Sequence, residues 1–512
     1  MHKPEIEANL AISMLRRAQL NPERTALIFE DKTFSYGEFS QLVRRQASLL
    51  QDAGVCMGDR VAFVGFNQPA FLETLFAANA LGAIFVPLNF RLTGEELKFI
   101  INDAGVHTLV CDGPMQEVLD PVKDELGCRA YFGAESILAG WRSLSDERAA
   151  CAPLQNPVSV GQHDTSVIMY TSGTTGLPKG VMLSHGNIMW NNINAQLSYG
   201  GARDDVVLTA APLFHIAGLN VMTLQSFMMG STLVLLRNFD PAVVLQYMQR
   251  YKVTSMFGAP AMFLFMSQHP DFHSTDLSNI KMLVCGAAPV PESLLSLYAK
   301  REINFCQGYG LTETSPFASL LTPEWATSKL GSAGQAAFYT ALKIVNEDNE
   351  ELATMEHGEI CISGANVMKG YWNRPEATAK AIDDKGWFHS GDIGYLDEDG
   401  FLFICDRLKD MVITGGENVY PAEVEGVLYK HELIAEVAVI GLPDEKWGEA
   451  VTAVVALVEG ADLNLEELRI FAESHLARYK LPIKLHKIPI LPRNPAGKVL
   501  KFVLKEELSG KL

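Results

Sequence analysis

What the chain lacks narrows it first. It has no uninterrupted apolar run of the ~18 residues that a membrane-spanning helix needs. The nearest stretch, residues 208–230, is broken by His215, Asn220 and Gln225, so no integral membrane segment is expected. The N-terminus shows no apolar core bounded by a cleavage site, and no signal peptide is expected either. Positive charge is scarce: 42 Lys and Arg against 60 Asp and Glu give a formal net charge of −18. That balance argues against nucleic acid or an anionic membrane as the main partner. The eight cysteines are scattered, with no CxxC and no Cys/His cluster at metal-ligand spacing. Buried, reduced thiols in a cytoplasmic protein are the expectation. A Walker A loop is missing too, because Lys179 stands between Pro178 and Gly180 instead of between Gly and Ser or Thr.

What is present starts with that same lysine. Residues 170–180 read YTSGTTGLPKG, which brings Thr171, Ser172, Thr174 and Thr175 together with Gly173, Gly176 and Lys179. The preceding SVIMY, residues 166–170, predicts a buried strand from its apolar, β-branched content. The following VMLSHGNIMWNN, residues 181–192, has helical spacing, with Ser184 placed as an N-cap. A strand ending in such a loop is suited to hold phosphate. Glycines let backbone N–H groups converge on an anion, hydroxyls add donors, and Lys179 adds charge.

A chain of 512 residues exceeds the roughly 250–300 at which a single core stops growing, so more than one domain is expected. Over the first 400 residues helical patterns alternate with short apolar strands (RVAFVGF, AIFVPLN, HTLVCD, DVVLTAAP, STLVLL, SMFGAP, KMLVCGAAP). That alternation predicts α/β layers with parallel sheets, and residues 69–82 predict a helix buried on most faces. Beyond residue 330, ALKIVNEDNEELA, GEICISG and GYLDEDGFLFICDR predict a smaller β-rich subdomain. Past DRLKD, residues 406–410, a compact α+β pattern follows. The expected organisation is α/β: a large N-terminal domain of layered sheets and helices over 1–406, then a small mobile α+β domain over 407–512.

Four further segments place polar residues in glycine-rich turns. GYGLTETS, residues 308–315, carries Tyr309, Gly310, Thr312 and Glu313, and a carboxylate there suits a Mg²⁺ that also touches phosphate. HSGDIGYLDEDG, residues 389–400, sets Asp392 between glycines, where it can accept hydrogen bonds from ribose hydroxyls. DRLKDMVITGGENVYPAEVE, residues 406–425, holds Arg407 and Lys409, and PRNPAGKVLK, residues 492–501, holds Lys498.

Together these motifs resemble the adenylate-forming superfamily, the group of acyl-CoA synthetases, 4-coumarate:CoA ligases, luciferases and peptide-synthetase adenylation domains. The resemblance runs from FSYGEF at 34–39 to GKVLK at 497–501, and is greatest to bacterial fatty acyl-CoA ligases. It implies ATP, Mg²⁺ and CoA, with a carboxylic acid first adenylated and then transferred to the CoA thiol. A carboxylate facing a polyanion needs charge neutralisation and alignment above all. By resemblance, Thr171 to Lys179 hold the departing β- and γ-phosphates, and Glu313 and Thr171 serve Mg²⁺. Gly286, Ala287, Ala288 and Pro289 wall the adenine, as do Gln307, Gly308 and Tyr309. Asp392 and Arg407 hold the ribose, and Lys498 reaches between carboxylate and α-phosphate. The small domain turns about Lys409, bringing Gly415 and Gly416 to the pantetheine arm. Lys498 also matches a setting in which bacterial relatives are switched off by acetylation.

For the acid, PLFHIAGL at residues 212–219 places His215 by resemblance at the mouth of the acyl pocket. No acidic residue stands there to pair an amino-acid ammonium. Small Ala217 and Gly218 are expected to leave room for a long aliphatic chain or a bulky ring. A fatty acid is the first expectation. An aryl or hydroxycinnamate acid, or acyl-AMP transfer to a carrier protein, stays open, as does a homodimer.

Overall fold

The structure, a computed structural model, describes residues 9–510 apart from 172–176, 289, 304, 408–409, 415–416, 445, 474 and 494–498, with backbone alone at 406, 407 and 418. It forms two compact units, residues 1–342 with 362–388 and residues 343–361 with 389–512.

The first unit is built on two sheets. One has eight strands in the order Gly370–Tyr371, Lys179–Ser184, Thr165–Thr171, Ile84–Leu88, Arg60–Val64, Val106–Cys111, Ala130–Gly133 and Arg142–Ser143. Its central strands are parallel and almost wholly buried, which is why they read as unbroken apolar runs and not as alternation. The helix Pro69–Ala80 is buried from Ala70 onward. Its Glu73 carboxylate, which burial makes harder to ionise, is met by Arg148.

The other sheet has nine strands, running Gln335–Ala336, Phe317–Leu321, Phe305–Gly310, Met282–Gly286, Ser255–Gly258, Val206–Thr209, Thr232–Leu235, Thr25–Phe29 and Lys32–Ser35. A core of Leu208, Met256, Phe263, Tyr298 and Phe305 packs against it. All seven segments of the alternating pattern contain strands, as does SVIMY.

One segment departs from the sequence reading. Residues 181–183 are not the start of a helix but part of the strand Lys179–Ser184, antiparallel to Thr165–Thr171. A short apolar run fits either period, and here pairing with SVIMY decides it. The helix His185–Tyr199 begins only afterwards, capped by Ser184 in a reciprocal box with Asn187. The phosphate-loop candidate therefore joins two paired antiparallel strands, and the element that follows it is a strand and not a helix.

In the second unit the strands Thr340–Val345, Gly358–Gly364, Phe388–Leu396 and Leu402–Arg407 form a four-stranded sheet. Residues beyond 410 form a five-stranded sheet in which Ile434–Asp444 and Gly448–Leu457 make a long antiparallel pair. The helices Pro421–Leu428 and Leu465–Glu473 contribute Val424, Leu428 and Leu468 to its core. Among the described residues no helix is long and apolar enough to cross a membrane. The expectation of buried thiols holds for Cys111, Cys285, Cys306 and Cys361 but fails at Cys56, which is exposed in the turn before Arg60–Val64.

Candidate functional site

Thr171 and Lys179 face each other at the loop end of the hairpin; Ser172, Gly173, Thr174, Thr175 and Gly176 lie outside the described residues. The two-residue strand Gly370–Tyr371 pairs with the far side of Lys179–Ser184. It sets the Tyr371 ring 5.2 Å from the Lys179 ammonium. The Tyr371 hydroxyl donates to Glu313 Oε1 at 2.9 Å. Burial and the Glu313 charge push the Tyr371 phenol well above its ordinary range, so it remains a donor. Lys179, Tyr371 and Glu313 are thus one connected group. Sequence reasoning named two of them and missed Tyr371. Its signal was a lone tyrosine in the polar, glycine-bearing KGYWNRP of residues 369–375.

The loop that carries Glu313 is clamped by buried asparagines. Asn220 donates to the Ser315 carbonyl at 2.5 Å, and Asn366 donates to the Thr314 and Phe317 carbonyls at 2.8 and 2.7 Å. Asn191 accepts from the Phe317 N–H at 3.0 Å, while the Met368 N–H donates to the Glu313 carbonyl at 2.7 Å. Thr312 and Glu313 sit in the short turn Thr312–Thr314 that these bonds fix.

Gly286 and Gly308 are partners on neighbouring parallel strands. A Cβ on Gly286 would lie 2.7 Å from the Gly308 carbonyl oxygen, and one on Gly310 only 1.7 Å from that of Pro316. The strand ends therefore form a shelf of bare backbone beside Tyr309. Ala287, left-handed at φ 70°, turns the chain out of it, and both Ala287 and Ala288 are exposed. Gln307 is buried and its Nε2 has no hydrogen-bond partner; Pro289 lies outside the described residues.

His215 precedes the short helix Ile216–Asn220. Asn67 anchors its segment, accepting from the Leu213 N–H at 2.9 Å and donating to the Ala211 carbonyl at 3.0 Å. The His215 Nε2 is buried without a partner. Burial and then the nearby Arg91 charge bring its pKa down to about 4, so the ring is neutral at pH 7. Phe214 is 4.4 Å from that ring and 5.4 Å from Phe90, and Phe90 is 4.3 Å from Phe66. Arg91 lies over both Phe90 and Phe214. The expectation that Gly218 leaves pocket room is overturned. Its missing side chain is taken up by close packing, since a Cβ there would lie 2.2 Å from the Pro212 carbonyl oxygen.

In the second unit Asp392 and Arg407 are directly opposite on adjacent antiparallel strands. Asp392 is buried, and its N–H donates to the Ser390 hydroxyl at 3.0 Å. Lys409, Gly415, Gly416 and Lys498 lie outside the described residues.

The donors fit a magnesium nucleotide. Glu313 and Thr171 supply hard oxygen ligands of the kind Mg²⁺ takes, and the unpartnered Gln307 amide beside bare backbone suits a purine edge. A family model described as AMP-binding enzyme matches residues 14–372, and one described as AMP-binding enzyme C-terminal domain matches residues 423–498. The chain is 43% identical over 490 residues to a feruloyl-CoA synthase of an Amycolatopsis species, covering 95% of this chain and 96% of that one. It is 38% identical over 514 residues to the long-chain-fatty-acid–CoA ligase FadD13 of Mycobacterium tuberculosis, covering 98% and 99%. The crystal structure of ATP-bound MatB from Rhodopseudomonas palustris matches at TM-score 0.92 and 31% identity, covering 98% and 99%.

The chain belongs to the AMP-binding enzyme family, within the adenylate-forming superfamily. Within it, the protein is an acyl-CoA synthetase, an AMP-forming acid–thiol ligase that uses ATP, Mg²⁺ and CoA.

Proposed function

We propose that the acid is an apolar monocarboxylate, a fatty acid first, and that its carboxyl group meets His215. The observation that carries this is the neutral imidazole with an unpartnered, buried Nε2. A ligand oxygen would satisfy that nitrogen, and PLFHIAGL offers no acid for an ammonium group. A hydroxycinnamate or other aryl acid is a second reading. It is favoured by the rings of Phe66, Phe90 and Phe214 around His215 and by the relative named feruloyl-CoA synthase.

In the first half-reaction the acid's oxygen attacks the α-phosphorus, and the bond to pyrophosphate breaks. Thr171, residues 172–176 and Lys179 grip the leaving β- and γ-phosphates, while Lys498 offsets charge at the α-phosphate. Bound Mg²⁺ neutralises phosphate charge. Glu313, fixed by Tyr371 and the asparagine clamp, holds its place in the site. The walls at residues 286–289 and 307–310 take the adenine, and Asp392 with Arg407 the ribose. In the second half-reaction the CoA thiol attacks the acyl carbon and AMP leaves. A C-terminal domain turning about Lys409 then removes Lys498 and presents Gly415 and Gly416. The protein acts in the cytoplasm, with small molecules and not nucleic acid as partners, and as a homodimer.

The test is ATP–pyrophosphate exchange across aliphatic acids from acetate to stearate and a set of hydroxycinnamates, each with and without CoA. Exchange with apolar acids and thioester formation on adding CoA are expected. Exchange confined to amino acids or to short dicarboxylates would overturn the substrate proposal. Lys409→Pro should slow thioester formation while sparing pyrophosphate release; equal loss of both removes the hinge.

A further inference from the structure

Three metal-ligating side chains converge in the second unit, although 28 and 30 residues separate His389 from the other two. Glu359 and Cys361 are two apart on Gly358–Gly364 and so share one face of that strand. His389 stands on the neighbouring strand Phe388–Leu396. Its Nδ1 lies 2.8 Å from Glu359 Oε2 and 3.5 Å from Cys361 Sγ. One ligand atom from each residue lies within 4.8 Å of the others. Among the described residues this is the one such group of three.

We propose that Glu359, Cys361 and His389 bind a transition-metal cation of the Zn²⁺ class. The donor set of one thiolate, one imidazole and one carboxylate is that of a borderline-soft ion, and it is wrong for the hard Mg²⁺ of the nucleotide site. Tetrahedral Zn²⁺, with bonds of about 2.3 Å to sulfur and about 2.0 Å to nitrogen, sets those two atoms about 3.5 Å apart. That is the spacing found between Cys361 Sγ and His389 Nδ1. The Glu359–His389 pair must open, from a hydrogen bond to a shared ligand edge.

Glu359 Oε1 meanwhile stays occupied by the Gly391 N–H at 2.9 Å, which orients Oε2 toward the site. Cys361 is buried, while the side chains of His389 and Glu359 are 21% and 22% exposed. The ion therefore has an entry path and room for water as fourth ligand. On binding, the Cys361 thiol proton goes to solvent, as does any proton on His389 Nδ1; thiolate and carboxylate together balance the dication. The ion would tie Gly358–Gly364 to the start of the strand that carries Asp392.

The test uses the full chain with Mg²⁺ in excess and Co²⁺ as spectroscopic probe. A near-ultraviolet thiolate-to-Co²⁺ charge-transfer band is expected, saturating at one equivalent and bleached by Zn²⁺. It should vanish in Cys361→Ser and weaken in His389→Asn. It should persist in Cys405→Ser, which removes the thiol facing His357 Nδ1 at 3.5 Å. Zn²⁺ should also raise the melting temperature of the wild type and not that of Cys361→Ser. A wild-type chain without the band overturns the proposal, whatever the variants do. So does a band unchanged by both Cys361→Ser and His389→Asn, or one lost only in Cys405→Ser.

Discussion

The eight-stranded sheet of the first unit ends its site strands in side chains, whereas the nine-stranded sheet ends its own in bare backbone. At the first, Thr171, Lys179 and Tyr371 stand on a hairpin and a two-residue strand; Tyr371 reaches Glu313 through a hydrogen bond, and Lys179 reaches Tyr371 through its ring. At the second, Gly286, Gly308 and Gly310 carry no side chain; neighbouring backbone occupies the space a Cβ would need at Gly286 and Gly310, and the Phe317 ring occupies it at Gly308. Side-chain groups can be deleted one at a time at graded cost, whereas a backbone shelf has no part to remove and fails when anything is added. The comparison therefore ranks the substitutions.

The largest effect belongs to the shelf. In Gly310→Ala the new methyl lies 1.7 Å from the Pro316 carbonyl oxygen, a backbone atom that cannot swing away. Overpacking of that kind should cost roughly 3 kcal/mol or more. It would also displace the loop bearing Glu313. Thermal melts should show the loss of stability, and ATP–pyrophosphate exchange should fall to background. Near-native exchange would mean that the shelf yields.

Next comes Glu313→Gln, which keeps the shape and the Tyr371 contact while removing the charge. Adenylation should fall about 10²-fold, the scale of losing one charged group at a transition state, with the melting temperature little changed. Rising Mg²⁺ should recover part of the rate. A variant as active as wild type would remove Glu313 from the metal site.

Two histidines sharpen the contrast. His185 follows the hairpin, and burial brings its pKa from 6.5 to about 4; His215, beyond the strand Val206–Thr209, is brought to about the same value. Both rings are neutral when folded, whereas the unfolded chain protonates them below pH 6.5. Stability is therefore full above pH 6.5 and falls as pH drops toward about 4, at most about 1.4 kcal/mol per unit for each ring. His185 Nδ1 already accepts from the Leu10 N–H at 3.1 Å, while His215 Nε2 has no partner. Both substitutions to Gln should flatten the acid limb in denaturant titrations between pH 6.5 and 5. Only His215→Gln should raise KM for the acid.

Most of the layered fold was legible because buried parallel strands announce themselves as apolar runs, as RVAFVGF and HTLVCD do. VMLS was misread because three apolar residues before an N-cap suit either period, and only the partner strand 165–171 selects one. Of the site, residues inside glycine-rich motifs could be named in advance. Their connectors could not: Tyr371 reaches Glu313 across 58 residues, and Asn366 reaches Phe317 across 49. Gly218 shows the opposite failure. Its small size was read as pocket room, yet a neighbouring carbonyl fills the space, a fact of packing that no local pattern carries.

The smallest effect tests whether the side-chain end is a connected group or a set of neighbours. Tyr371→Phe removes one hydroxyl, keeps the ring under Lys179, and leaves Glu313 one donor short. A single hydrogen bond to a partly buried carboxylate is worth about 1.5 kcal/mol, so exchange should fall about tenfold, with KM for ATP rising more than kcat falls. Lys179→Ala should cost a similar amount by itself, as expected if, as proposed, its ammonium supports the leaving phosphates and Lys498 is the group at the reacting phosphorus. If Tyr371 transmits the position of Lys179 to Glu313, the double variant should lose less than the product of the two single losses. Strict multiplication would mean that Lys179 and Glu313 act on the phosphates separately, with Tyr371 only packing between them.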